Sequence, residues 1–325
     1  MSITSNQKVL TLDYWKPANK LVVGDYVFNR FGDPVKIKLI HAYFSQKCFR
    51  VTLDDHLTVS GDIHLGFPLE DKKYRKRLDE YLGFFKFKRP LKQLKITQLL
   101  ESPLKDKRGR QSFSIPTANP LNLPAQPELP VPPFVFGFWL ANRTPSGKLT
   151  QVDGCHEATA ARLKDYGYKI KEYTNHFVLT PSIDAQLPKP LPAKIPTNYL
   201  MGSVEQRIEL LSGLLHGKPR RYNKNRNTFK LSTTNRELFG QYGWLVESLA
   251  HRTRQMLNEY RGTYTVSFKS RFKLMEQQEP TPLKVHHARR YVKAIEEINP
   301  QMCYHIETEE KDGTYLVGEG FIACH

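Results

Sequence analysis

The side chains most able to do chemistry here are cations placed to meet a polyanion. In Val266-Ser267-Phe268-Lys269-Ser270-Arg271-Phe272-Lys273, an unbulged strand would present Lys269, Arg271 and Lys273 on one face. Val266, Phe268 and Phe272 would then lie on the other. Such a face fits phosphate contact, or is simply a solvated basic face. Arg220, Arg221, Lys224, Arg226 and Lys230 form a second group, and Arg252 and Arg254 a third. The stretch KKYRKRLDEYLGFFKFKRPLK, from Lys72 to Lys92, interleaves cations with aromatics and reads either as a nucleic-acid arm or as a solvated insertion. Cys48, Cys155, Cys303 and Cys324 are scattered without CxxC spacing, which argues against a structural zinc site or a disulfide framework.

The bulk properties agree with a polyanion partner. Lys and Arg number 49 against 32 Asp and Glu, a formal net charge of +17. An excess of that size creates a field attractive to nucleic acid, as well as a soluble basic surface. The 39% hydrophobic fraction can fill packed cores, and 325 residues suit roughly two domains of ~100–200 residues. No apolar run approaches the ~20 residues of a membrane span, and the N-terminus lacks a signal-peptide layout. The expected setting is a reducing cytoplasm without membrane attachment.

These groups must be positioned by two textures of chain. From Lys8 to Ile115 the sequence reads as short strands, including KVLTLD, GDYVFNRFGDPVKIKLIHAYF and CFRVTLDDHLTVS, with a tight turn at Phe31-Gly32-Asp33-Pro34. The proline-rich IPTANPLNLPAQPELPVPP then discourages both helix and ladder and marks a domain boundary. Beyond it FVFGFWLA and VEQRIELLSGLL are apolar at helical spacing, the second with Ser203 as its N-cap. NTFKLST reads as a strand and RELFGQYGWLVESLAHRTRQML as another amphipathic helix. From Arg289 strands return: RYVKAIEEI, MCYHIETEE and TYLVGEGFIACH. An α/β segment flanked by β texture points to one domain inserted into another.

Four blocks in order carry a family resemblance. SITSNQKVLTLDYWKPANKLVVGDYVFNRFGDPVKI resembles the start of an intein, and DGTYLVGEGFIACH resembles the last intein block. LPVPPFVFGFWLAN and YLMGSVEQRIELLSGLLHGK are similar to the two dodecapeptide helices of LAGLIDADG homing endonucleases carried within inteins. The resemblance covers nearly the whole chain. It implies an α+β fold class: an all-β Hint horseshoe interrupted by a pseudo-symmetric α/β LAGLIDADG domain. The implied domains are residues 1–120 and 284–325 for splicing and 121–283 for the insert.

The splicing half of the resemblance implies three catalytic residues. Ser2 would be the nucleophile of the first acyl shift. His64, in HLTVSGDIHLGF, would polarise the upstream amide and protonate the departing nitrogen. The family pattern is Thr-x-x-His, whereas Gly61 lies three residues before His64 and Ser60 one further back. Either the turn holds an extra residue or the accessory hydroxyl is lost. His56 is the rival histidine, read as a half-exposed structural residue in a strand-like stretch. His325 would be the penultimate His that favours Asn cyclisation. That Asn is not in the chain, so this form is not expected to perform the last step. Cys324 and His305 lie near the site and read as packed and strand-satisfied residues.

The endonuclease half implies paired metal-binding carboxylates, one at the foot of each helix. Asn142 stands at the first position and Lys218 at the second, so metal-dependent cleavage is expected to be lost. Small residues for close helix approach would be Gly137, Ala141, Ser212 and Gly213. The expectation is a protein-splicing element that excises itself from a host protein, with an insert that binds double-stranded DNA through the cations named above. Its partners would be the flanking host segments and DNA, its state a monomer. Splicing needs no cofactor, and Mg2+ would matter only for an active nuclease. The other classes are an inactive LAGLIDADG-derived DNA- or RNA-binding protein of maturase type, and an active homing endonuclease.

Overall fold

A computed structural model describes residues 2–71, 75, 91–143, 149–150, 157–173, 176–217, 222–223, 226–275, 278, 289–310 and 313–325. The chain opens with β1 (Ser2–Thr4), β2 (Lys8–Thr11), β3 (Tyr14–Pro17) and β4 (Tyr26–Phe28). Then come β5 (Pro34–Ser45), β6 (Cys48–Leu53), β7 (Thr58–Asp62), β8 (Gly66–Asp71), β9 (Lys92–Lys95) and β10 (Phe113–Pro116). The middle carries α1 (Pro133–Asn142), β11 (Leu149–Thr150), α2 (Glu157–Asp165), β12 (Lys169–Tyr173) and β13 (His176–Thr180). It continues with α3 (Val204–His216), β14 (Tyr222–Asn223), β15 (Thr228–Thr233), α4 (Arg236–Glu247), β16 (Thr253–Asn258) and β17 (Thr263–Phe268). Strands β18 (Arg289–Ile298), β19 (Gln301–Thr308), β20 (Tyr315–Val317) and β21 (Ile322–Cys324) end the chain. None of the described helices is long and apolar enough to cross a membrane.

Two compact units result: residues 1–121 with 284–325, and residues 122–283 between them. The first is a 14-stranded sheet system with the order β21-β20-β2-β4-β5-β19-β1-β7-β6-β18-β10-β8-β9, and β3 paired to β2. Phe49, Val51 and Leu53, at alternate positions of β6, meet Val59 of β7, Val292 of β18, Ile3, Phe67, Ile306, Val317 and Ile322 in its core. The Phe31–Pro34 turn forms as the residue types require. Gly32 has φ +90°, and a Cβ there would lie 2.1 Å from the Pro120 carbonyl oxygen, so only glycine fits.

The second unit is built on α1 and α3. A Cβ on Gly137 would lie 2.4 Å from the Leu210 carbonyl oxygen, and one on Gly213 would lie 2.0 Å from that of Phe134. Each glycine therefore receives the carbonyl three residues before its counterpart, a two-fold relation between the helices. Ser203 caps α3 by accepting from the Gln206 N–H at 3.3 Å, and the Gln206 side chain returns the bond to Ser203 N at 3.0 Å. Strands β14-β15-β17-β16 make one small antiparallel sheet and β11-β13-β12 another.

Two sequence expectations fail here. The helix expected to run on through HRTRQML stops at Glu247, and Thr253–Asn258 is strand β16. Ala250 sits at φ +63°, which ends helical geometry, and β16 gains a full antiparallel ladder with β17. The strand expected over Val266–Lys273 ends at Phe268, the last residue with partners on both β15 and β16. Lys269, Arg271 and Lys273 consequently lie beyond the ladder and share no strand face.

Candidate functional site

The segment from Gly61 to Gly66 gathers the residues that the splicing reading requires. Strand β1 pairs with β7 through Ile3 and Gly61, and a Cβ on Gly61 would lie 2.3 Å from the Ser2 carbonyl oxygen. Five residues on, Gly66 donates to the His325 carbonyl at 2.9 Å and accepts from the His325 N–H at 2.8 Å. Ser2 and His325, 323 residues apart in sequence, are thus fixed to opposite ends of one turn that carries His64. Gly61 also accounts for the departure from Thr-x-x-His spacing: no side chain fits at that position. Ser60 instead gives its N–H to Gln7 Oε1 at 3.0 Å.

The nucleophile candidate is buried and connected. Ser2 is 1% exposed, and its Oγ lies 2.6 Å from the Tyr43 hydroxyl. Tyr43 donates its single hydroxyl proton to Asp62 Oδ2, which leaves its oxygen to accept from Ser2. The other Asp62 oxygen, Oδ1, accepts the His64 backbone N–H at 2.8 Å. Burial, followed by the hydrogen bond to Asp62, pushes the Tyr43 hydroxyl up to about 12, so it stays protonated near neutrality. Tyr43 and Asp62 are missing from the sequence reading. Asp62 stood inside the His64 motif, whereas Tyr43 reaches Ser2 only through the order β5-β19-β1-β7.

The remaining residues fall as follows. The His64 side chain is exposed, and among the described residues no hydrogen bond joins its ring to Ser2. His56 is in a turn, not a strand, and is exposed with φ +68°. Its N–H bonds back to the Leu53 carbonyl at 3.0 Å, which closes the β6–β7 connection. His305 pairs in register with Ser2 and bonds Glu307 through Nε2 at 3.1 Å. Cys324 is fully buried, which pushes its thiol well up.

In the second unit, Asn142 and Lys218 each lie five residues after the paired glycines Gly137 and Gly213. Asn142 is 1% exposed and donates its amide to its own helix at the Phe138 carbonyl, 2.8 Å away. A Cβ on Gly217 would lie 2.6 Å from that amide nitrogen, so the opposite chain packs against it. Ser212 donates to the Leu274 carbonyl at 2.7 Å. Lys218, Arg220, Arg221 and Lys224 lie outside the described residues.

The cations divide by environment. Lys230 and Arg254 are exposed and both register with Ser267, so they flank it on one sheet face. Arg226 is exposed just before β15. Most of the Lys72–Lys92 cluster is outside the described residues, but Arg75 is neither solvated nor free for DNA. It is 8% exposed and donates to the Glu70, Gln111 and Ser112 carbonyls and to Ser114 Oγ. Lys92 pairs with Asp71 at 2.6 Å.

Comparisons with known proteins give partial overlaps. No family model matches the chain. It is similar to the replicative DNA helicase DnaB of Mycobacterium intracellulare, 23% identical over 336 residues. That match takes in 96% of this chain and 56% of the helicase, so the chain spans little more than half that relative's length. Among solved structures, the gp41-1 intein aligns over 35% of this chain and 74% of its own, at 15% identity and TM-score 0.23. I-DmoI in complex with DNA and Mn aligns over 49% of this chain and 96% of its own, at 13% identity and TM-score 0.31.

The chain's own geometry stands apart from these overlaps. A β unit made from both ends of the chain holds Ser2 and His325 to one turn, and the segment inserted into it is built on two glycine-packed helices related by a two-fold. This is the arrangement that the resemblance to an intein carrying a LAGLIDADG-type insert implies.

Proposed function

We propose that this chain is a protein-splicing element embedded in a host of the replicative-helicase class, with an insert that grips double-stranded DNA without cutting it. The observation that carries the reading is the attachment of Ser2 and His325 to Gly61 and Gly66. Splicing requires both scissile peptides in one site, and a sheet closed by the two ends of the chain supplies that proximity. In this reading Ser2 Oγ attacks the carbonyl before it, and the acyl group passes to a nucleophile beyond the downstream junction. An Asn following position 325 then cyclises with His325 on its carbonyl. His64 protonates the departing nitrogen.

The insert keeps the scaffold of a nuclease and lacks its carboxylates. Asn142 turns its amide nitrogen into its own helix, and an ammonium at Lys218 opposes a divalent cation. Lys230, Arg254 and Arg226 supply exposed charge for phosphate contacts, joined by Arg220, Arg221, Lys224, Lys269, Arg271 and Lys273 as further basic residues of the same unit. The proposed setting is cytoplasmic, with the chain acting as a monomer and the host's flanking segments as its protein partners.

Two experiments test these halves. Sequencing the host transcript across position 325 should give Asn followed by Cys, Ser or Thr inside a longer frame. A stop codon there would remove the splicing reading. Incubation with long DNA and Mg2+ or Mn2+ should give retention without specific cuts, and defined fragments would restore the active-nuclease reading.

A further inference from the structure

We infer that Tyr43 and Asp62 form the proton-accepting relay that activates Ser2 for the first acyl shift. The inference rests on the splicing reading and adds two catalytic roles that the family motifs in this sequence do not name. A serine hydroxyl is a weak nucleophile at neutral pH and needs a base when it attacks an amide. No imidazole among the described residues bonds to Ser2 Oγ. Its polar partner is Tyr43, 2.6 Å away, and Tyr43 donates onward to Asp62 Oδ2.

Direction is built into the chain of hydrogen bonds. Asp62 is 1% exposed, and its second oxygen is already used by the His64 N–H at 2.8 Å, so the carboxylate is held in one orientation. The phenol keeps its proton near neutrality because burial and Asp62 both favour the neutral hydroxyl. It can pass one proton to Asp62 as it takes another from Ser2. The step balances internally. The Ser2 Oγ–C bond to the preceding residue forms and the C–N bond breaks. The hydroxyl proton leaves through Tyr43 to Asp62, and the freed nitrogen takes up one proton to become the amine. No oxidant, metal or co-reactant enters.

The arrangement also suits serine in particular. A thiol ionises near pH 8.5 unaided, so a cysteine nucleophile has much less need of a relay. This difference separates a catalytic role from a packing role.

The test uses the full chain fused through Ser2 to an unrelated reporter protein, with hydroxylamine to cleave the ester and release the reporter. Tyr43→Phe and Asp62→Asn should each slow release by ~100-fold, the usual worth of a general base. Combined with Ser2→Cys, Tyr43→Phe should slow release by less than about 3-fold, since the thiolate needs little base. Equal losses with either nucleophile would overturn the relay in favour of packing, as would a Tyr43→Phe chain that releases at the parental rate. Thermal melts verify that each variant folds, and Tyr43→Trp serves if Tyr43→Phe does not. A parental chain that releases nothing with either nucleophile overturns the splicing reading itself, an outcome distinct from loss of the relay alone.

Discussion

Gly66 and His325 exchange both of their backbone hydrogen bonds, at 2.9 and 2.8 Å, while Gly61 lies against the carbonyl of Ser2. The turn from Gly61 to Gly66 therefore sets the register of both ends of the chain. Neither glycine is there for flexibility: each lets backbone come where a side chain would block it.

Replacing Gly61 should accordingly cost chemistry through β1. In Gly61→Ala the new Cβ would fall 2.3 Å from the Ser2 carbonyl oxygen, so β1 must shift and carry Ser2 away from Tyr43. Reporter release by hydroxylamine should fall by at least ~10-fold, since displacements near 1 Å cost about that or more. Release at the parental rate would mean that Ser2 is not held by this contact.

The paired glycines of the insert should behave alike. Gly213→Ala places a Cβ 2.0 Å from the Phe134 carbonyl, and α1 must move to admit it. The expected cost is about 2–4 kcal/mol, at the upper end of overpacking effects. Trp139 and Trp244 both lie in this unit and Trp15 in the other, so a fluorescence-detected urea curve reports the loss. An unchanged midpoint would contradict the close packing of the two helices.

His251 predicts an acid sensitivity of the same unit. It is 2% exposed, and its Nε2 accepts the Arg271 N–H at 2.9 Å. Burial, with Arg271 nearby, lowers it to about 3. In the unfolded chain a histidine protonates near pH 6.5, so below that the unfolded state binds the extra proton. The stability His251 gives is complete above ~6.5 and is lost as pH falls toward about 3, by roughly 1.4 kcal/mol per pH unit once well below 6.5. Urea midpoints at pH 7 and pH 5 measure the loss, and His251→Gln should flatten the difference. An equal pH dependence in that variant would assign the effect to other groups.

Lys230 and Arg254 are exposed and flank the buried Ser267 on one sheet face. If that face meets phosphates, the double substitution to Ala should weaken binding to duplex DNA of any sequence. It should also reduce the salt slope of log K by about 2, close to one per contact removed. An unchanged slope would place the DNA elsewhere on the chain.

Much of this was legible in the residues, and the failures have physical causes. The α3 start was readable because Ser203 and Gln206 satisfy one another locally. The Phe31–Pro34 turn was readable because Gly and Pro restrict the backbone on their own. The length of β17 was not. Its alternation continues to Lys273, but the ladder ends where both partner strands end, at Phe268. Periodicity shows which face a residue takes within a strand and is silent on where partners stop. The glycine three residues before His64 is explained by the carbonyl of Ser2, 59 residues upstream of Gly61 and in contact with it only through β1–β7 pairing. Tyr43 had no signal at all, since its role depends on strand order across the sheet.

The most direct measurement places the chain between two unrelated proteins, with Asn and Ser following His325, and follows the products by mass spectrometry. The account predicts ligated flanking proteins and a released chain ending in Asn, with the ligated product lost in Ser2→Ala. A folded precursor that stays intact under the same conditions would contradict it.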